Sequence, residues 1–391
     1  MKKYDFYFVL PFISISYPTG GIKIIYELAR RLRDRNYNVA IQFLTDPYRV
    51  PREFFKGKKI NEFETKVYVA KNLLNNKFSF KFVVPALRRI LGDEFNDNFT
   101  GIDVYFSRGF PKNIVSIRYI ATGYADAFFV DKCVKDGRKY FLSLHDETNL
   151  NYLNNLSWLA EEAYKLPMKL IVINEDMLQR YCEKEPLIFH VGIDISFFKD
   201  REYISKSKNN IVLLQIRAGK MKGASYGIEA AKLIHENFGD VKILAFGNYP
   251  EDEVPEFIEY YFKPNDELLR RLFHRATIFV LPSLLEGMSL PILEAMACGC
   301  AVVSSDCIGI HVYMKNGVNG VIVPPADAHE LFKAVKSLIQ NPALVVRLRQ
   351  NGEKTALRYS YENMTDEFVN CIEKFERTIT PEFRTNFFNT E

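Results

Sequence analysis

Residues 282–306 read P-S-L-L-E-G-M-S-L-P-I-L-E-A-M-A-C-G-C-A-V-V-S-S-D. The run before them, 277–281, is short, apolar and of strand length, and residues 301–304 return to that composition. Between the two, Pro291 suits the first turn of a helix, where its missing N–H has no intrahelical partner anyway, and the helix runs through Ala297. Glu286 then falls between strand and helix, at the carboxyl edge of a sheet, where open α/β sheets bind ligands. Glu294 follows after seven intervening residues and falls in the second turn, so both carboxylates can face one crevice. Taken alone, Glu286 also reads as a solvated loop acid and Glu294 as a surface helix acid.

The same alternation extends outward in both directions. Strand-length apolar runs at 211–216, 241–246, 258–262 and 321–323 flank this segment, with helical candidates in the gaps. An earlier series occupies 4–10, 39–44, 103–107, 116–121, 140–144 and 170–173. Its first helix places Ile22, Ile25, Leu28, Ala29 and Leu32 on one face. A polar stretch at 199–210 reads as an interdomain linker. The sequence therefore predicts two α/β domains, residues 1–199 and 210–360. Met364, Phe368, Val369, Ile372 and Phe375 predict a terminal helix, about 361–391, whose apolar stripe needs a partner.

Composition agrees with this division. A chain of 391 residues exceeds what one hydrophobic core usually serves, and 48% hydrophobic with 26% charged residues is a globular balance rather than a disordered one. Lys2 and Lys3 before an apolar run suggest a signal peptide, but Asp5 and Pro11 interrupt it, so it reads as a strand. No apolar run reaches the roughly 18 to 20 residues of a spanning helix. The six cysteines lack paired spacing, which favours reduced, packed thiols and a cytoplasmic setting. Residues 1–100 hold 18 Lys and Arg against 10 Asp and Glu. Lys56, Lys58, Lys59, Lys77, Lys81, Arg88 and Arg89 interleave there with Phe54, Phe55, Phe63, Phe78, Phe80 and Phe82. That mixture reads as a solvated basic face over a Phe-rich core, or as a peripheral contact with anionic membrane at the inner face. No nucleic-acid-binding signature appears.

Three further constellations sit at strand ends. Arg217 and Lys222, in Q-I-R-A-G-K-M-K-G, follow the strand at 211–216 and offer a rigid fork and a mobile point charge for a diphosphate. Lys220 can substitute for Lys222, and a plain basic loop is the alternative. Gly20 and Gly21 mark the first strand-to-helix turn, where a missing Cβ lets backbone approach a ligand, or simply a tight turn. His145, in S-L-H-D-E, ends a strand, with Asp146 or Glu147 placed to orient it or an acceptor.

The run E-G-M-S-L-P-I-L-E-A-M-A-C-G-C-A-V-V resembles the E-x7-E signature of retaining glycosyltransferase family four, joined by N-G-V-N-G at 316–320 and by H-V-G-I-D-I-S-F-F at 190–198. The resemblance implies the GT-B fold: two Rossmann-like domains with parallel sheets facing across a cleft, and a C-terminal helix returning to the first. It implies that Glu294 holds the donor ribose and that Glu286 touches the transferred sugar. Gly287, Met288, Ser289 and Leu290 would line the donor, Arg217 and Lys222 the leaving diphosphate, and His145 with Gly20 and Gly21 the reacting centre. The family commonly has Phe and Gly where Met288 and Ser289 stand, and G-G-x-P-E where Ile308 to Val312 stand. The activity expected is transfer of a sugar, hexosyl in type, from a nucleotide sugar to a glycan or lipid-linked acceptor in polysaccharide biosynthesis, with no cofactor and no metal. Rival readings are a sugar-nucleotide epimerase of the same fold and a catalytically silent scaffold that binds nucleotide sugars.

Overall fold

The computed structural model describes residues 1–11, 20–44, 101–107, 109–149, 157–199 and 210–379. The basic, Phe-rich stretch between Phe54 and Arg89 and all but the ends of the linker at 199–210 lie outside the described residues. Two compact units divide the chain. The first comprises Met1–Ile173, Met177–Phe189 and Glu367–Glu391, the second Asn174–Asp176 and His190–Asp366.

Each unit is built on an all-parallel sheet. In the first, β1 (Lys2–Pro11), β2 (Val39–Leu44), β3 (Asp103–Ser107), β4 (Ile114–Ala121), β5 (Arg138–Leu142), β6 (Lys169–Val172) and β7 (Leu187–Ile188) lie in the order β3-β2-β1-β4-β5-β6-β7. In the second, β8 (Ile211–Ile216), β9 (Lys242–Gly247), β10 (Glu259–Phe262), β11 (Ile278–Leu281), β12 (Ala301–Ser305) and β13 (Val321–Val323) lie in the order β10-β9-β8-β11-β12-β13. Both orders reverse beside the first strand of their series, between β1 and β4 and between β8 and β11. At such a switch point the connections leave in opposite directions and open a crevice at the carboxyl edge. This is the doubly wound, Rossmann-like topology.

Strands buried on both faces read as unbroken apolar runs, and β8 and β11 are buried along their whole length. The helices in the first unit include α1 (Gly20–Asp34), α2 (Tyr124–Cys133), α3 (Ser157–Lys165) and α4 (Glu175–Arg180), whose first residues count with the second unit. Helix α1 buries Ile24, Ile25, Leu28, Ala29 and Leu32, so the predicted face holds except that Ile24 takes the buried place expected of Ile22. The second unit contains α5 (Ile195–Lys199), α6 (Ala224–Asn237), α7 (Asp266–Arg275), α8 (Leu290–Ala297), α9 (Ala328–Gln340) and α10 (Pro342–Ala356). Helix α11 (Tyr361–Ile379) begins there, and its part from Glu367 onward counts with the first unit.

In the first unit Phe368 of α11 packs on Phe6, Phe8 and Phe189. Further along, the Glu376 carboxylate accepts hydrogen bonds from Arg118 Nε at 2.9 Å, Arg118 Nη2 at 2.7 Å and Tyr140 Oη at 2.7 Å, and pairs with Arg138 Nη1 at 2.7 Å. Burial alone would hold this carboxyl protonated, but the guanidinium of Arg118 wins and sets its pKa below the ordinary glutamate value.

Residues 190–199, expected to end the first domain, count with the second unit. Ile193 bridges to Ser360, and Cys298 Sγ lies 3.2 Å from the Phe198 carbonyl. A Cβ on Gly192 would lie 2.3 Å from the Ser360 carbonyl oxygen, which no real side chain tolerates. Cys298, Cys300 and Cys307 are buried as expected, whereas Cys133 and Cys182 are exposed because they fall just inside the end of α2 and in a surface turn. Among the described residues no helix is long and apolar enough to cross a membrane.

Candidate active site

In the second unit, the residues singled out by spacing fall beside the switch point. Strand β8 ends at Ile216, so Arg217 is the first residue beyond its carboxyl edge, and Lys222 closes the short turn that precedes α6. Neighbouring β11 pairs directly with β8 and ends at Leu281, which puts Glu286 in the next loop of the same edge. The two loops are tied together: Leu284 N donates to the Met221 carbonyl at 2.9 Å, and Lys222 Nζ reaches the Leu285 carbonyl at 3.3 Å and the Glu286 carboxylate at 3.0 Å. Gly223 has φ +63°, and a Cβ there would lie 1.9 Å from the Pro282 carbonyl oxygen. A glycine is therefore what lets the cationic loop lie this close to the loop carrying Glu286.

Arg217 contrasts with Lys222. It is partly exposed, and no carboxylate pairs with it among the described residues. Its loop is held from the backbone instead, with Ala218 N donating to Asn248 Oδ1 at 3.1 Å. A guanidinium held at a strand end with its fork open is the geometry that receives phosphate oxygens. Lys220, the alternative cation, is exposed, whereas Lys222 is half-buried against Glu286.

The helix predicted from Pro291 is α8, and Glu294 sits in its second turn, half-buried. Ser289 occupies the N-cap position without making the usual cap hydrogen bond, and its buried hydroxyl has no hydrogen-bond partner among the described residues. The positive end of the helix dipole beside this hydroxyl leaves the start of α8 electrostatically suited to an anion. Met288 and Ser289 are buried; Gly287 and Leu290 are half-buried.

Spacing did not single out three residues that shape this turn. Asn174, 1% exposed, donates from Nδ2 to the Gly287 carbonyl at 2.7 Å. Tyr313 Oη donates to the Ser289 carbonyl at 2.8 Å. Cys307 lies in the field of Glu286 and Lys222, and burial, with Glu286 adding to it, pushes its thiol up to about 12, so it stays protonated. The departure at 308–312 has a structural reading as well. Gly309, φ +93°, packs so closely that a Cβ would lie 2.1 Å from the Gly287 carbonyl oxygen, and His311 Nε2 is 2.7 Å from Asp306 Oδ1. The N-G-V-N-G segment is architectural: Asn319 is buried and donates to the Tyr313 carbonyl at 2.7 Å and Thr355 Oγ1 at 2.9 Å.

In the first unit, Gly20 and Gly21 open α1 rather than standing in the turn before it. A Cβ on Gly21 would lie 3.3 Å from Leu144 Cδ1, so the glycine pair and the turn carrying His145 are neighbours at that sheet's carboxyl edge. Ser143 Oγ donates to the His145 carbonyl at 2.8 Å. Asp146 pairs with Arg180 at 3.0 Å, and Tyr181 Oη donates to it at 3.1 Å. Glu147 is buried and accepts from Tyr124 N, at the start of α2, at 2.9 Å.

Burial drives the Glu147 carboxyl up to about 8, and raises Asp126, which Glu147 pushes further. A carboxyl that titrates near 4.5 when unfolded and near 8 when folded takes up a proton on folding between those values. Its contribution to stability is complete below pH 4.5 and is lost as pH rises toward 8, at up to about 1.4 kcal/mol per pH unit. Glu147→Gln removes this share of the slope and leaves that of Asp126, and denaturant midpoints measured from pH 5 to 9 in variant and wild type check the difference.

Residues 196–355 match the family model described as glycosyl transferases group 1. Among curated proteins, the chain is 27% identical over 251 residues to N,N'-diacetylbacillosaminyl-diphospho-undecaprenol alpha-1,3-N-acetylgalactosaminyltransferase of Campylobacter jejuni, covering 58% of this chain and 66% of that one. It is 28% identical over 195 residues to MMP alpha-(1->4)-mannosyltransferase of Mycolicibacterium hassiacum, covering 47% of each. The chain thus spans about half to two thirds of the length of these relatives. Among solved structures, Anabaena HepE in complex with UDP-glucose superposes with a TM-score of 0.66 at 13% identity, over 94% of this chain and 99% of that one. At that identity the likeness shows the fold, two Rossmann-like domains of the GT-B class.

Proposed function

We propose that this chain, whose residues 196–355 match the family model of glycosyl transferases group 1, is a retaining glycosyltransferase that moves a sugar from a nucleotide-sugar donor to a glycan or lipid-linked acceptor. The observation that carries the proposal is the open guanidinium of Arg217 beside Lys222 and Glu286 at the switch point of the second sheet. The Campylobacter relative, named for an undecaprenol-linked acceptor, favours the lipid-linked class, and HepE, solved with UDP-glucose, favours a uridine nucleotide.

The chemistry follows from what the site can stabilise. An acceptor hydroxyl oxygen attacks the anomeric carbon on the face from which the diphosphate departs, the bond from that carbon to the phosphate oxygen breaks, and the hydroxyl proton passes to the departing oxygen. Negative charge grows on the diphosphate, where Arg217, Lys222 and the start of α8 supply positive potential without reorganising. Cations in this arrangement take the place of a bound metal. Glu294 holds the ribose and Glu286 the sugar, with His145, Gly20 and Gly21 serving the reacting centre from their own domain.

A melting panel of nucleoside diphosphates and nucleotide sugars, run with and without chelator, tests this. A ligand at a hundred times its Kd adds about 2.7 kcal/mol, a visible shift. One base stabilising the wild type in chelator, and failing on Glu294→Ala, supports the donor site. Absence of any shift favours a silent scaffold.

A further inference from the structure

The two cations of the site are not equivalent. Arg217 has no carboxylate partner among the described residues, while Lys222 is already neutralised by Glu286 at 3.0 Å, with side chains only 26% and 12% exposed. The backbone that carries this carboxylate is closely packed. Cys307 and Tyr313, both buried, lie in its field, and Gly309 packs on the carbonyl oxygens of Glu286 and Gly287. Resting on the transferase reading above, the same two side chains have different duties once donor arrives, Lys222 toward the diphosphate and Glu286 toward the sugar. A carboxylate 3.0 Å from the ammonium competes with phosphate for it, and also repels any phosphate that approaches.

We infer that Glu286 is the resident counter-ion of Lys222 and that the donor's diphosphate displaces it, so that phosphate capture releases the carboxylate to bind the sugar. Arg217, open from the start, receives the phosphate first. Lys222 then exchanges one anion for another, and its charge is never left bare in a half-buried setting. Glu286 is freed only when a diphosphate has taken its place. Sugar recognition is therefore conditional on the diphosphate, and a free sugar meets a carboxylate that is already engaged.

Calorimetric titration of uridine diphosphate, and of inorganic pyrophosphate as a probe lacking base and sugar, into four proteins tests the exchange. Glu286→Gln binds both probes about three- to thirtyfold more tightly than wild type, although it transfers sugar poorly. Lys222→Met binds them more weakly, and adding Glu286→Gln to it brings no tightening, because the competition has lost its object. Glu286→Ala, which removes the carboxylate without adding a donor, repeats the first measurement should the glutamine variant fold poorly. Unchanged or weaker diphosphate binding in a folded Glu286 variant overturns the exchange, as does equal tightening in the Lys222→Met background. If neither probe binds wild type, the transferase reading falls as well; if both bind without the tightening, the exchange alone falls.

Discussion

Arg217→Ala lowers kcat/KM for sugar transfer by about 10²- to 10⁴-fold, the largest loss expected from any single change outside the folding core. The size of the effect follows from the position of the side chain and from what it does not touch. Arg217 is the first residue after β8, its loop is held by Asn248 through the backbone, and no carboxylate among the described residues pairs with it. Truncation therefore breaks no internal ion pair, and the melting temperature without ligand stays near that of wild type. The loss falls on kcat more than on KM, because charge on the leaving diphosphate peaks after the ground state. Arg217→Lys recovers only part of the rate, since an ammonium lacks the planar fork. Steady-state kinetics with the donor that the melting panel names provide the check, and equal rates for Arg217→Ala and wild type would sink the assignment.

The second large effect concerns stability and lies far from that chemistry. Glu376→Ala destabilises the first unit by about 3–5 kcal/mol, because it leaves buried Arg118 without its carboxylate and removes a partner from Arg138 and Tyr140. Replacing both members of the main pair, Arg118→Met with Glu376→Leu, costs less than Glu376→Ala alone, since no bare charge is then buried. The pH dependence has the opposite sign to that of Glu147. The folded pKa of Glu376 lies below its ordinary value of 4.5, so its contribution is present above 4.5 and is lost as pH falls through the folded value. Denaturant unfolding measured below pH 4.5 checks this, and a smaller loss on acidification in Glu376→Gln than in wild type is the expected pair of results.

Much of this molecule was legible from local pattern. The strands at 39–44, 103–107, 211–216 and 321–323 appear where their short, mainly apolar runs place them, and those at 39–44 and 211–216 are buried along their whole length, as central parallel strands are. Pro291 opens α8 and puts Glu294 in its second turn, as helix geometry requires. Strand β7 is only two residues long and carries no pattern to find. Asn174, Tyr313 and Cys307 were missed for another reason: Asn174 reaches a carbonyl 113 residues away, and nothing in its neighbourhood of sequence marks that contact.

By itself, then, the amino-acid sequence determined the alternation of strand and helix, the tandem of two α/β series and the residue types presented at each strand end. These depend on side-chain periodicity and on glycine and proline, which act within a few residues. Only tertiary structure decided that β8 and β11 are neighbours at a switch point, and that Lys222 is neutralised by Glu286 while Arg217 is left open. It likewise decided that a buried carboxylate near the chain's end pairs with Arg118, 258 residues earlier. Such pairings are settled by which strands share a sheet and by the energy of burying charge, and neither is written in any local stretch of sequence.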